Sequence, residues 1–197
     1  SIGNNKLKKI TNNYINETFW ILSKCLKKDK SDLLLNKKYI INSDKFDFFI
    51  NLINKRLANE PLQIILESVP FYKYNFFTKK DVFIPRFETE LCIDILKNYK
   101  RNFNSVLEVG CGLGCISITL SLEGLSKDIL AIDISSKAIT ASILNAEQLG
   151  CNNVTFTNDN IFHMKLCVNT DIEMACRLVC TSLARLSFIE ERWPACG

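Results

Sequence analysis

Apolar positions recur at helical spacing through the first third of the chain and at strand spacing beyond it. "KFDFFINLINKRL" puts Phe46, Phe49, Ile50, Ile53 and Leu57 on one helical face, and Ser43 or Asp44 stands where it could cap the start. "NETFWILSKCL" carries a second stripe through Phe19, Leu22 and Leu26. Such stripes predict core packing in a small bundle over residues 1–68. Residues 69–84, "VPFYKYNFFTKKDVFI", are aromatic and β-branched around polar breaks, which predicts an extended connector or a hairpin. After Pro85 an amphipathic helix is expected from about Glu88 to Tyr99, with Leu91, Ile95 and Leu96 apolar.

From Ser105 strands alternate with helices. "SVLEV" reads as a strand, Cys115–Leu122 as a helix and "DILAIDI" as a second strand. Ser136–Leu149 reads as a helix that Ser135 caps and Gly150 closes, and "NVTFT" as a third strand. Right-handed crossovers then give a parallel sheet and an α/β fold. Three strands make only part of such a sheet, and an edge is left unpaired.

Composition narrows the class. No run of about 18 apolar residues occurs, so no membrane span is expected. The N-terminus lacks the apolar core of a signal peptide and an initiating Met, and a fragment is expected. Residues 1–80 carry 15 Lys and Arg against 7 Asp and Glu, whereas residues 81–162 carry 6 against 10. The first part suits an acidic partner, or else presents a solvated lysine-rich face. Cys25, Cys92, Cys111, Cys115 and Cys151 lie in or beside apolar segments at no regular spacing, as reduced cysteines of a cytosolic protein do. Cys111 and Cys115, or Cys176 and Cys180, form C-x3-C pairs without a matching second pair, and His163 is the only His. No metal site is expected.

Chemistry concentrates in "VLEVGCGLGCISITL", where a strand runs into Gly110, Gly112 and Gly114. Alternate glycines let the chain turn sharply and let a ligand lie against bare backbone ahead of a helix N-terminus. A dinucleotide loop needs G-x-G-x-x-G, but here the third place is Cys115. Glu108, at the strand end, would repel a pyrophosphate and suit the sulfonium and amino group of S-adenosylmethionine. Asp133 ends the second strand, where a carboxylate can accept from both ribose hydroxyls. Asp159 follows the third strand, where it could accept from an adenine amino group. The expected fold is therefore a Rossmann-like S-adenosylmethionine-dependent methyltransferase, with a partial parallel sheet and a small helical N-terminal domain.

"ANEPLQIILESVPFYKYNFFTKKDVFIPRFETEL" resembles the segment joining the two domains of release-factor glutamine methyltransferases, the HemK/PrmC family. Glu60 and Pro61 match the family's first element, and Ile84, Pro85, Arg86, Glu88, Thr89 and Glu90 its I-P-R-x-E-T-E element. The resemblance continues through "VLEVGCGLGCISITL", "AIDIS" and "NDNIF" and covers about residues 10 to 162. Phe87, Asn59 and Ser68 depart from the pattern in places that affect loop geometry. The resemblance implies a helical substrate-recognition domain over 1–68, a connector over 69–87 and a partial methyltransferase domain over 88–162. It implies methylation, in the cytoplasm of a bacterium or an organelle matrix, of the Gln side-chain amide in the G-G-Q motif of a peptide chain release factor. Glu108, Gly110, Cys111, Gly112, Leu113, Gly114, Asp133, Asp159 and Asn160 would then line the cofactor, with neither membrane, metal nor direct nucleic acid as partner.

The family places N-P-P-[YF] after its fourth strand, and no such tetrapeptide occurs here. Its Asn side chain and Pro carbonyl hold a poorly nucleophilic amide nitrogen in line with the methyl group. The best local substitute is Leu178, Val179 and Cys180 as a fourth strand, with Thr181 in place of Asn, and a hydroxyl does not supply amide geometry. Composition also shifts: residues 1–162 hold 18 Lys and 19 Asn, whereas residues 163–197 hold one of each and four of the nine Cys. The expectation is that 163–197 is an atypical tail from a shifted frame or a joined fragment, a divergent native tail being the rival, and that the chain is catalytically impaired. Two other readings stay open: a methyltransferase acting on nucleic acid or another protein amide, and a non-catalytic remnant that binds the cofactor.

Overall fold

The computed structural model describes residues 2–35, 39–98, 102–161 and 172–177. The chain forms two compact units, Ser1–Ser68 and Val69–Gly197.

The first unit is helical: α1 (Ile2–Leu7), α2 (Tyr14–Leu26), α3 (Lys30–Leu35), α4 (Ser43–Leu57) and α5 (Leu62–Leu66). Leu7, Ile21, Cys25, Phe49, Leu52, Ile53 and Ile65 form its core. The α4 stripe is rotated from the one expected: Phe46 is exposed and Leu52 takes its place inside. Asn42, rather than Ser43 or Asp44, caps α4. Its backbone is extended, and its Oδ1 accepts from Lys45 N at 3.1 Å, while Ser43 and Asp44 already lie in the first turn. On α2 the buried positions are Glu17, Thr18, Ile21 and Cys25, with Phe19, Leu22 and Leu26 half-buried beside them. The buried Glu17 carboxylate accepts from Arg56 Nε at 2.8 Å and from Thr11 Oγ1 at 3.0 Å, which joins α2 to α4.

The second unit opens with a hairpin, β1 (Ser68–Phe71) and β2 (Tyr74–Phe77), and a 3-10 turn at Phe87–Thr89 leads into α6 (Glu90–Asn98). Next come β3 (Ser105–Val109), α7 (Cys115–Leu122), β4 (Ile129–Asp133), α8 (Ser136–Leu149), β5 (Val154–Asn158) and β6 (Ile172–Arg177). The four later strands form one parallel sheet in the order β5-β4-β3-β6. The expectation of three strands is thus corrected: β6 pairs along the edge of β3 that β4 leaves open. It escapes sequence reading because "IEMACR" neither alternates apolar with polar positions over its length nor forms an unbroken apolar run. The substitute strand at Leu178–Cys180 and Thr181 lie outside the described residues.

Helices on the sheet bury Val106, Ile116, Ile118, Leu120 and Ile129 together with Phe71, Phe76 and Val82 of the aromatic segment. Phe71 and Phe76 meet edge to face, with centroids 6.0 Å apart. The hairpin turn is fixed by charge. Glu123, at the end of α7, accepts from Lys73 Nζ at 2.9 Å, Tyr74 Oη at 2.9 Å and Lys97 Nζ at 2.6 Å. Lys97 also donates to Tyr72 Oη at 3.2 Å. The Lys97 hydrogen bond, aided by Lys73 and Tyr74, lowers the Glu123 carboxyl to about 2.

Because the folded carboxyl titrates below its unfolded value, the contribution of this cluster is complete above about pH 4.5 and is lost as pH falls toward 2. Replacing Glu123 with Gln should lower stability by about 1 kcal/mol at neutral pH. Urea denaturation as a function of pH should show the two proteins converging in acid.

Candidate functional site

The site lies at the carboxyl edge of the parallel sheet, where the chain reverses between β3 and α7. Here the strand order changes direction: β4 and β5 extend one way from β3 and β6 the other. Gly110, Gly112 and Gly114 all have positive φ, at 77°, 56° and 75°. The turn is pinned to β4 because Gly110 N and Cys111 N both donate to Ile132 O, at 2.8 and 3.1 Å. Gly114 also has a packing role: a Cβ there would stand 3.0 Å from Ile118 Cδ1 and Ser142 Cβ and 3.1 Å from Phe156 Cε1. At Gly110 a Cβ would meet nothing within 4 Å.

Asp133 draws the three post-strand loops together. Its Oδ2 accepts from Gly112 N and its Oδ1 from Ser135 N, both at 2.9 Å. Its main-chain oxygen accepts from Asn158 Nδ2 at 2.8 Å and Asp159 N at 3.2 Å. Asp159 in turn accepts from Asn160 N at 2.6 Å. Ser135, once turned by Asp133, caps α8 through Ala138 N at 3.3 Å. Gly112, Asp133, Asp159 and Asn160 are partly exposed around this junction, and Gly110 is open to solvent.

Glu108, Cys111, Leu113 and Gly114 lie beneath that surface. Glu108 is 3% exposed, and its Oε2 accepts from Ser117 N, in the first turn of α7, at 3.0 Å. The residue at the cap position of α7 is Gly114, which has no side chain to offer. Glu108 therefore caps α7 from the neighbouring strand. Burial pushes its carboxyl up to about 7, against the hydrogen bonds from Ser117 and with a further push from Asp133. Burial, with Glu108 nearby, likewise raises the Cys111 and Cys115 thiols, which disfavours thiolate chemistry in the turn. Leu113 keeps its side chain inside and directs its carbonyl to Asn145 Nδ2, at 3.0 Å.

The expected residues thus divide into an accessible rim and a supporting layer. Sequence reading missed two members of that layer. Ser117 supplies the N–H that Glu108 accepts. Asn145 is a large polar residue on the otherwise small-residue face of α8, among Ala138, Ala141, Ser142 and Ala146. A buried amide on such a stripe was the available signal. Among the described residues no group of His, Cys, Asp and Glu could hold a metal ion, and no helix is long and apolar enough to cross a membrane.

Comparison with known proteins gives two domain matches. Residues 3–66 match the PrmC N-terminal domain and residues 101–184 a methyltransferase domain. The second match runs past the composition change near His163. The chain is 33% identical over 146 residues to a release factor glutamine methyltransferase of Bacillus anthracis, covering 72% of this chain and 51% of that protein. It is 35% identical over 130 residues to the Bacillus subtilis (strain 168) protein of the same name, covering 63% and 45%. Against the Mycoplasma mycoides subsp. mycoides SC protein, also so named, identity is 32% over 162 residues, covering 79% and 57%. The chain spans about half the length of these relatives.

Two outcomes follow from the turn. Gly110→Ala should cost only its left-handed backbone strain, about 1–2 kcal/mol. Gly114→Ala adds three close contacts and should cost more in the same denaturation experiment. For Glu108, the folded state still holds a proton between about pH 4.5 and 7 that the unfolded state has released. The carboxyl therefore costs stability as pH rises through that window, and Glu108→Gln should regain up to about 3 kcal/mol by the upper end. Parallel stability–pH curves for the two proteins would contradict this.

Proposed function

The chain belongs to the release factor glutamine methyltransferase family, and from that membership we propose its reaction. The parent reaction transfers the methyl group of S-adenosylmethionine to the side-chain amide nitrogen of the Gln in the G-G-Q motif of a peptide chain release factor. The observation that carries the cofactor assignment is Glu108 at the N-terminus of α7. In dinucleotide-binding folds that helix end receives the pyrophosphate. Here a buried carboxyl group already occupies it, so a diphosphate would find an N–H donor taken and, wherever that carboxyl is ionised, a like charge. A cationic nucleoside meets the opposite situation.

Within this reading Gly110, Cys111, Gly112, Leu113 and Gly114 supply the backbone against which the cofactor lies. Asp133 offers a carboxylate to the ribose hydroxyls, and Asp159 and Asn160 offer polar groups to the base. Glu108 acts from below as a cap and counter-charge. The cofactor supplies the electrophilic methyl group, and the chain's own groups bind and orient it. Because N-P-P-[YF] is absent from the sequence, no side chain is assigned to holding the amide nitrogen, and the chain as given is expected to transfer methyl groups weakly or not at all. That absence favours the second reading, a cofactor-binding remnant. The match over residues 3–66 supports a release factor, rather than nucleic acid, as partner. Burial of Cys25, Cys92, Cys111, Cys115 and Cys151 as thiols is in keeping with a reducing cytosol or organelle matrix.

The experiment is titration of the purified chain with S-adenosylmethionine and with NAD, followed by incubation with labelled cofactor and an intact release factor. Binding of S-adenosylmethionine but not NAD is expected, with label entering Gln far more slowly than with a full-length relative. Uptake of NAD in preference would refute the assignment. Asp133→Ala should weaken S-adenosylmethionine roughly tenfold or more, since it removes charge-assisted acceptors and releases Gly112 and Ser135.

A further inference from the structure

Asn145 lies within α8 with no exposed surface. An amide at that depth is costly unless its polar atoms are paired. Here the partners are all backbone. Oδ1 accepts from Phe77 N at 2.6 Å, while Nδ2 donates to Phe77 O at 3.1 Å and Leu113 O at 3.0 Å. One side chain thus takes both main-chain groups of Phe77, as an adjacent strand would, and also holds the middle of the glycine turn. Its partners lie 68 and 32 residues away in sequence.

The chain leaving Phe77 packs inward and returns to that turn at Phe83. Thr78 and Val82 are buried, and Asp81 pairs with Lys137 of α8 at 2.9 Å. The carbonyl of Phe83 comes within 3.8 Å of where a Cβ on Gly112 would stand. The glycine turn therefore has a wall, residues 78–83, which leads directly into Ile84, Pro85 and Arg86. Asn145 anchors the start of that wall and the turn it faces.

We propose that Asn145 is a positioning residue for the cofactor site, fixing the gap between the glycine turn and the wall formed by residues 78–83. This rests on the reading that the turn holds S-adenosylmethionine. The geometry makes the chemistry of the side chain decisive. A carboxylate at 145 could still accept from Phe77 N but would face the carbonyls of Phe77 and Leu113 with no proton to give. Alanine would leave all three backbone groups unpaired.

The test compares Asn145→Ala and Asn145→Asp with Ile129→Ala, a buried change at the start of β4, the end of that strand remote from the turn. Calorimetry with S-adenosylmethionine, well below every melting temperature, should show affinity reduced roughly tenfold in both Asn145 variants. Ile129→Ala, though it destabilises the fold, should stay within about twofold of the parent affinity. Hydrogen exchange without ligand should rise in 78–83 and 110–114 together in the Asn145 variants but not in Ile129→Ala. Equal affinities for all three, or exchange that rises in only one of the two segments, would overturn the proposal. If the Asn145 variants do not fold, the unmodified chain decides: bound S-adenosylmethionine should slow exchange in 78–83 as well as in 110–114, and protection of the turn alone counts against it. Failure of the unmodified chain to bind S-adenosylmethionine would instead strike the cofactor assignment, and ligand-free exchange would still report whether turn and wall are coupled.

Discussion

The site depends on one carboxylate at the end of one strand. Asp133 spends both oxygens on backbone N–H groups, one in the glycine turn and one at the start of α8, and its carbonyl receives the loop after β5. A hydrogen bond to an ionised acceptor is about twice as strong as a neutral one. Here two of them fix loops that share no sequence proximity. The glycines make the turn possible but do not choose its conformation: with no side chains they could settle in many others. Asp133 supplies the constraint, and it does so from the edge that remains partly exposed to a ligand.

Below it, Glu108 fills the start of α7. A helix N-terminus attracts anions through unpaired N–H groups and its dipole. Here Gly114 leaves the cap position bare, and a carboxyl group from β3 reaches Ser117 instead. Glycine turns that bind phosphate and glycine turns that bind a sulfonium nucleoside can look alike in backbone trace. In this turn one N–H of the helix end is filled by the protein rather than left for a ligand. Burial keeps Glu108 near neutrality, which limits the cost of holding an acid inside until a cation is close by.

Much of this was legible in the sequence because it is local. The strands at 105–109, 129–133 and 154–158 follow from short apolar runs between turn residues. Ser135 and Gly150 bound α8 where their cap preferences put them. What was not legible depends on partners. An acidic residue at a strand end can face solvent, a ligand or the next helix, and only the placement of α7 sends Glu108 inward. Periodicity gave α4 a buried face but left its centre uncertain by part of a turn, so Phe46 and Leu52 exchange roles. Asn145 reads as a mildly unfavourable helix residue until Phe77 and Leu113 arrive beside it. β6 is invisible without the open edge of β3 that gives it hydrogen-bond partners.

The hairpin shows how the fold extends control beyond the sheet. It is held at two points by different physics. Glu123 gathers Lys73, Tyr74 and Lys97 at the turn between β1 and β2, a cluster that salt and acid weaken. Asn145 holds the far end of β2 through uncharged hydrogen bonds from a buried amide, on which ionic strength has little effect. The end nearest the cofactor turn thus has the anchor insensitive to solution conditions, and the distant end has the adjustable one. On the opposite flank of β3, β6 runs parallel and ends at Arg177 on the same edge as the glycine turn. The residues proposed to hold the cofactor all lie within the contacts of β3, β4, β5 and the hairpin. Residues for the methyl acceptor would have to come from the β6 side, where the family keeps N-P-P-[YF] and this sequence does not. On the proposed reading binding and transfer thus draw on different strands, and the first does not require the second.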